Sequence, residues 1–348
     1  MRKIIRSCII VVLCAMSVLA FTACFTTSKT TNVAISWDEG LTTGVTRITN
    51  DGILKSNVKA SPDGNKLLYT ESTKKDVNGN QVWSIAYLRD ANNPAKTPLI
   101  ADNSFDPSWY LDNSLFLYVS FEGGKGRVVR SNVTGGGRTY VSRNPVGDTD
   151  RRPAIKNDLI VCQSFLNGRW QLVTVKENGT EPTFLGEGYQ PAWHPKEDKV
   201  IFIKNGDIYE MDMSQGNMGQ VTQLYVNNQF ACYTPSYSPD GSHILFAMGT
   251  IVKKDIVVAQ ETTSTGFISK LLPSFVKIPK ITKDTTRLVG EVERTSIFVI
   301  NSDGSNLSTS LNSGTANVFS PCWGKNNEVF CIVDNGKETD IYKFRLRF

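Results

Sequence analysis

Pro235-Ser236-Tyr237-Ser238-Pro239-Asp240-Gly241, followed by Ser242-His243-Ile244-Leu245-Phe246-Ala247, is the stretch on which the fold turns. Pro-Asp-Gly supplies the fixed φ and the permissive φ of a tight reversal, and it separates two short apolar stretches, so the unit reads as a hairpin. With Tyr237 as anchor, the unit recurs. Ala60 opens Ser61-Pro62-Asp63-Gly64 and Leu67-Leu68-Tyr69, and Trp109 leads to Phe116-Leu117-Tyr118. Ile155 leads over a shortened turn to Leu159-Ile160-Val161, Trp193 leads through His194-Pro195 to Val200-Ile201-Phe202, and Trp323 leads to Val329-Phe330-Cys331.

These anchors lie 49, 46, 38, 44 and 86 residues apart, and the last interval is two periods. A further copy is therefore expected near residue 281, where Ile281-Thr282-Lys283-Asp284-Thr285-Thr286-Arg287-Leu288-Val289 aligns without a gap on the Tyr237 unit. A proline stands two residues before the anchor in six copies, at Pro107, Pro153, Pro191, Pro235, Pro279 and Pro321; only the first copy, with Val58, lacks it. Proline fixes φ and donates no hydrogen bond, which suits a strand start beside an irregular edge. Each hairpin is followed by a second strand pair. Asp255–Ala259 turns at Ser264-Thr265-Gly266 into Phe267–Leu272, Ser296–Ile300 turns at Asp303-Gly304, and Trp170–Val175 turns at Asn178-Gly179.

Four strands in a unit of about 42 residues match a propeller blade, and nothing reads as a long amphipathic helix. Each small sheet cannot bury both faces alone, so the blades must pack side by side around an axis. The expectation is an all-β, seven-bladed β-propeller of four-stranded antiparallel blades over residues 44–348. The alternative is six blades, with 255–295 as an irregular insertion. Gly44–Asp51 reads as an outermost strand with no inner strands before it, while the unit at Trp323 lacks its outermost strand. Joining the two would close the ring, burying Ile48 beside 341–346 and removing two unpaired sheet edges.

Residues 1–24 read as a lipoprotein signal peptide and 25–43 as a tether. Arg2, Lys3 and Arg6 form a basic start, Ile9–Ala20 is an apolar core too short for a stable anchor, and Ala23 places a small residue directly before Cys24, the expected lipidation site. The three basic residues account for three of the net +5 charges, leaving +2 on the mature chain. A chain so near neutrality has no electrostatic reason to bind nucleic acid, and its membrane contact should come from acyl chains. Of seven cysteines, Cys162, Cys232, Cys322 and Cys331 remain in the body of the chain, without a C-x-x-C spacing. Cys322 and Cys331 flank a hairpin turn, as either a cross-strand pair or two free buried thiols.

The Pro-x-Trp/Tyr-Ser-Pro-Asp-Gly anchor, with a later strand ending in Asn/Ser-Asp-Gly, resembles the TolB-type propeller repeat. That resemblance covers residues 44–348 and implies fold more than function, because this repeat serves periplasmic scaffolds, peptidase gating domains and some lyases. TolB itself carries an extra N-terminal α/β domain, for which 25–43 leaves no room. Peptidases of this kind append a domain with Gly-x-Ser-x-Gly, a motif absent here. The similar lyases use a histidine cluster to hold a metal, whereas only His194 and His243 occur, both within repeat hairpins. Asp76-Val77-Asn78-Gly79-Asn80 has the glycine misplaced for a calcium loop and reads as a hairpin tip. Gly123-Gly124-Lys125-Gly126 and Gly135-Gly136-Gly137 read as turns.

No catalytic residue, metal or cofactor is therefore expected. The candidate binding surface is the mouth of the channel, where the innermost strands begin: Phe105 and Asp106; Asp150, Arg151 and Arg152; Tyr189 and Gln190; Tyr233; Phe319. The expected function is a non-enzymatic, membrane-tethered propeller of the cell envelope, periplasmic or surface-facing, that binds a protein or peptide. The alternative is a propeller that binds or processes carbohydrate at the same mouth, with Asp106 and Asp150 as a carboxylate pair.

Overall fold

The computed structural model describes residues 36–348 except 89, 91–99, 142–144, 215–219, 260–284, 313 and 315. The expected signal peptide and Cys24 lie outside the described residues. The chain divides into two compact units, one of 33–252 with 293–348 and one of 1–32 with 253–292. The first is a β-propeller with six blades among the described residues. Blade 1 is Leu54–Ala60, Leu67–Lys75, Gln81–Leu88 and Ala101–Asp102; blade 2 is Ser104–Trp109, Leu115–Ser120, Arg127–Asn132 and Thr139–Tyr140. Blade 3 is Thr149–Lys156, Leu159–Leu166, Arg169–Lys176 and Thr183–Glu187; blade 4 is Tyr189–Trp193, Lys199–Lys204, Asp207–Asp212 and Val221–Tyr225. Blade 5 has three strands, Cys232–Tyr237, His243–Ala259 and Thr285–Asn301. The segment after them lies along the third, with Ser308 N donating to Val299 O at 2.8 Å and Leu311 N to Ile297 O at 3.0 Å.

Blade 6 closes the ring. Its order is Thr42–Arg47, Thr339–Leu346, Glu328–Asp334, Asn317–Trp323, so the first strand of the chain is the outermost strand of the last blade. Thr42 pairs with Leu346 and Arg47 with Tyr342. Ile48 N donates to Ile341 O at 2.7 Å, and its side chain is buried between blades 6 and 1. Trp37, within the stretch expected to be a tether, bridges Asn312 and packs its ring 4.7 Å from Phe344.

Among the described residues the expected seventh blade is not a separate sheet. His243–Ala259 and Thr285–Asn301 are 17-residue strands, so Thr285–Val289, which aligned on the hairpin unit, runs on into the third strand of blade 5. Pro279 and Phe267–Leu272 lie outside the described residues. The alignment near 281 had the proline but neither an aromatic anchor nor a Gly turn. Those two features join blades. The anchor indoles donate to the innermost strand of the preceding blade: Trp109 Nε1 to Lys59 O at 3.0 Å, Trp193 Nε1 to Ala154 O at 3.2 Å, and Trp323 Nε1 to Ser236 O at 3.1 Å. The last bond runs from blade 6 to blade 5, leaving no place for a blade between them.

Six apolar clusters fill the six interfaces, and this explains why the second strands read as unbroken apolar runs: both faces are covered. Val329 and Cys331 face Leu245, Ile297 and Val299 of blade 5, while Phe330 and Ile332 face Val58, Leu67 and Tyr69 of blade 1. Cys322 lies in the second of these clusters and Cys331 in the first, and all four described cysteines are free and buried. Gly241 needs its positive φ and its bareness, since a Cβ there would lie 2.5 Å from His194 Nε2 of blade 4.

Candidate functional site

Each innermost strand contains a β-bulge at one repeated position. The register shifts between Ser56 and Lys59, Phe105 and Ser108, Arg151 and Ala154, Tyr189 and Ala192, Tyr233 and Ser236, and Phe319 and Cys322. At every bulge a non-glycine residue takes a left-handed conformation with φ of 49–54°: Asn57, Asp106, Arg152, Gln190, Thr234 and Ser320. In five of the six the next residue is the repeat proline, which has no N–H to leave unmet where the ladder is interrupted. A left-handed non-glycine residue costs on the order of 1–2 kcal/mol, so the bulges persist because their surroundings hold them.

Much of that hold comes from the neighbouring blade. Arg152 N donates to Asp106 Oδ2 at 3.4 Å, Gln190 N to Gln163 Oε1 at 2.7 Å, and Thr234 N to Gln190 Oε1 at 2.6 Å. Asn57 Nδ2 donates to Asp106 Oδ1 at 3.0 Å. Asp106 is the hub. It also pairs with Arg151 Nε at 2.5 Å and Arg152 Nε at 3.0 Å, and its side chain is only 1% exposed. Burial pushes its carboxyl up, but the Arg152 and Arg151 guanidiniums outweigh burial and hold it below the ordinary carboxylate range. Between the strands is a cavity of about 150 Å³ whose lining includes Asn57, Lys59, Asp106, Arg152, Gln190 and Thr234.

The residue before each bulge forms a second, outer ring: Ser56, Phe105, Arg151, Tyr189, Tyr233 and Phe319. Antiparallel order puts these strand starts on the same face as the hairpins joining second to third strands, and puts the Pro-Asp-Gly hairpins on the opposite face. Phe105 packs edge-on against Phe121, centroids 5.4 Å apart, and 6.3 Å from Trp83. The Arg151 guanidinium lies over both phenyl rings, 5.1 Å from Phe105 and 5.5 Å from Phe121. Tyr233 is 42% exposed. Tyr189 and Phe319 are half-buried and turn toward the cores of interfaces 4–5 and 6–1.

Of the residues expected at the mouth, the structure brings together Phe105, Asp106, Arg151 and Arg152 in direct contact, and places Gln190 on the same channel wall. Asp150 is set apart. It accepts from Ser164 Oγ at 2.6 Å and Val146 N at 2.9 Å, and burial pushes its carboxyl up against those bonds. Its contacts brace a loop. Sequence reasoning passed over Asn57, Thr234 and Ser320, although each stands immediately before the position held by the repeat proline. It also missed Trp83, Phe121 and Lys59.

No group of three or more His, Cys, Asp or Glu side chains among the described residues is placed to hold a metal ion. His194 accepts from Glu197 N at 2.8 Å through Nδ1 and packs on Tyr237, and the His243 ring stacks on Phe348. Asp76 organises the tip of a hairpin, accepting from the N–H groups of Asn78 and Asn80, both at 2.8 Å.

No family model and no curated protein matches the chain. Solved structures do match. The putative TolB from Agrobacterium tumefaciens superimposes with a TM-score of 0.55 at 13% identity, covering 90% of this chain and 99% of its own. An oligogalacturonate lyase in complex with manganese superimposes with a TM-score of 0.51 at 14% identity, covering 93% of this chain and 99% of its own. At such identity the likeness is one of fold: this chain is a six-bladed propeller similar to the TolB-like propellers.

Proposed function

We propose that the protein is a non-enzymatic propeller, tethered to the cell envelope by lipid on Cys24, that binds a protein or peptide partner at the channel mouth. The observation that carries this is the group formed by Phe105, Phe121, Trp83 and Arg151. Aromatic rings with a guanidinium stacked on them, held in place by a buried carboxylate, have the composition of a binding hot spot. The tether rests on the sequence, where Ala23 precedes Cys24 at the end of an apolar core. A second use of the mouth, for an acidic oligosaccharide, draws on the same face, where Arg151 supplies a cation and Tyr233 an exposed ring.

Cross-linking in intact envelopes followed by purification of the full chain separates the two. A discrete polypeptide should co-purify, and Phe105→Ala or Arg151→Ala should each weaken its binding by about 2 kcal/mol, near thirtyfold in affinity. Retained binding by both variants, or displacement of the polypeptide by an acidic oligosaccharide that the protein then cleaves, would overturn the protein-partner reading. Cys24→Ala should move the protein to the soluble fraction without changing that affinity.

A further inference from the structure

One residue breaks the pattern of the inner channel wall. The position two residues after each left-handed residue holds Ser108, Ala154, Ala192, Ser236 and Cys322 in blades 2 to 6, all small. In blade 1 it is Lys59, and Lys59 lines the channel cavity. Its ammonium makes no ion pair or hydrogen bond among the described residues. The charged and titratable groups acting on it are the Cys322 thiol, Arg152 and Asp106, and burial, the largest influence, pushes its pKa down. Asp106 is already engaged by two guanidiniums. The cavity wall therefore carries two cations, Lys59 and Arg152, against one carboxylate, which Arg151 also engages from the outer ring.

Neutral donors complete the wall. Gln190 uses its side-chain oxygen on Thr234 N, so the end left for the channel is its amide NH2. The hydroxyl of Thr234, which also lines the cavity, is buried and has no hydrogen-bond partner. A buried polar group without a partner is destabilising, and so is a desolvated ammonium without a counter-charge. The cavity of about 150 Å³ has room for a few waters or one small polyatomic anion.

We infer that the channel is a receptor for a carboxylate, held by Lys59 as charge partner and by Gln190 and Thr234 as neutral donors. A small free acid and an acidic side chain presented at the mouth carry the same group. The inference does not depend on a protein partner, because a free acid would satisfy the same donors.

Titration calorimetry of the purified full chain in chloride-free buffer tests it, with acetate as the free acid and a capped glutamate-containing tripeptide, with its glutamine counterpart, as the presented group. Saturable one-to-one binding is expected for acetate, for the glutamate peptide over the glutamine one, or for both, and which of them binds identifies the source. Lys59→Met should weaken binding at least tenfold, about 1.4 kcal/mol, while Lys59→Arg retains it. Affinity should fall as pH rises, because Lys59 loses its proton below the ordinary lysine range and only the charged form attracts the anion. Thermal melting adds an independent reading: Lys59→Met, which removes a half-buried cation with no ion-pair partner among the described residues, should melt no lower than the parent without anion. Absence of binding for both probes, equal binding by Lys59→Met, or affinity flat through the alkaline range would overturn the inference. None of these outcomes bears on whether the mouth binds a polypeptide, which the purification above decides.

Discussion

A protein lacking residues 42–51 is expected to lose the cooperative unfolding transition of the whole ring, rather than shed a tail. These residues supply the outermost strand of blade 6, the buried Ile48 at interface 6–1, and partners of the buried Asp340. Thr49 Oγ1 donates to Asp340 Oδ1 at 3.0 Å and accepts from Ile341 N at 3.0 Å, and Arg47 pairs with both Asp340 and Glu338. Removing Ile48 alone should cost about 2–4 kcal/mol, as for other buried aliphatic truncations. Leaving Asp340 without its guanidinium should add about 3 kcal/mol or more. The sum is comparable to the roughly 5–15 kcal/mol that holds a typical domain folded. Denaturant melts followed by tryptophan fluorescence would show the loss, and a truncated protein melting like the parent would refute the closure.

Asp106→Ala is expected to be the most damaging single substitution in the channel. It leaves the Arg151 and Arg152 guanidiniums without their shared carboxylate, strands Asn57 Nδ2, and removes the acceptor for Arg152 N. Breaking a buried ion pair from one side typically costs about 3–5 kcal/mol. Asp106→Asn, which keeps the shape and two hydrogen-bonding atoms, should cost less. The same pair gives stability a pH dependence of definite sign. The folded-state pKa of Asp106 lies below its ordinary 3.8, so its contribution is complete above that value and is lost as pH falls through the folded pKa. Acid unfolding of Asp106→Asn should therefore be shallower than that of the parent at the acid end. Equal acid slopes in the two proteins would show that Asp106 does not carry the effect.

The blades were legible in the sequence although only the Tyr237 unit joins a proline, an aromatic anchor and a Pro-Asp-Gly turn; Ala60 has the turn without the proline, and Trp109, Trp193 and Trp323 have the proline and the anchor without that turn. Each feature does a separate physical job at a blade junction: the proline sits in the bulge, the indole reaches the preceding blade, and the glycine admits a neighbouring side chain. The near-281 copy had the proline alone, and a period match could not distinguish a blade from two strands that lengthen. Closure was legible because strand counting is a conservation rule: an unpaired outer strand and a blade lacking one must meet.

The channel was legible only in part. Phe105, Asp106, Arg151, Arg152 and Gln190 were found by looking just upstream of each proline. Asp150 was expected at the mouth, but it stands before the bulge, directly across the ladder from Ser164, and its carboxylate accepts from that hydroxyl. Trp83 and Phe121 come from a second strand pair and a hairpin, distant in sequence from the motif. Lys59 was visible in principle as the one large residue at a position otherwise filled by Ser, Ala or Cys, but that contrast has meaning only once the position is known to face the channel.

Docking of a polypeptide at the face where the innermost strands begin, the proposed function, makes a positional prediction. Photo-cross-linking residues placed one at a time at Tyr233, 42% exposed at the mouth, and at Leu111, 69% exposed in a hairpin on the opposite face, test it directly. A discrete covalent adduct to one envelope polypeptide is expected from position 233 and none from position 111. Adducts of equal yield from both positions, or from 111 alone, would contradict it.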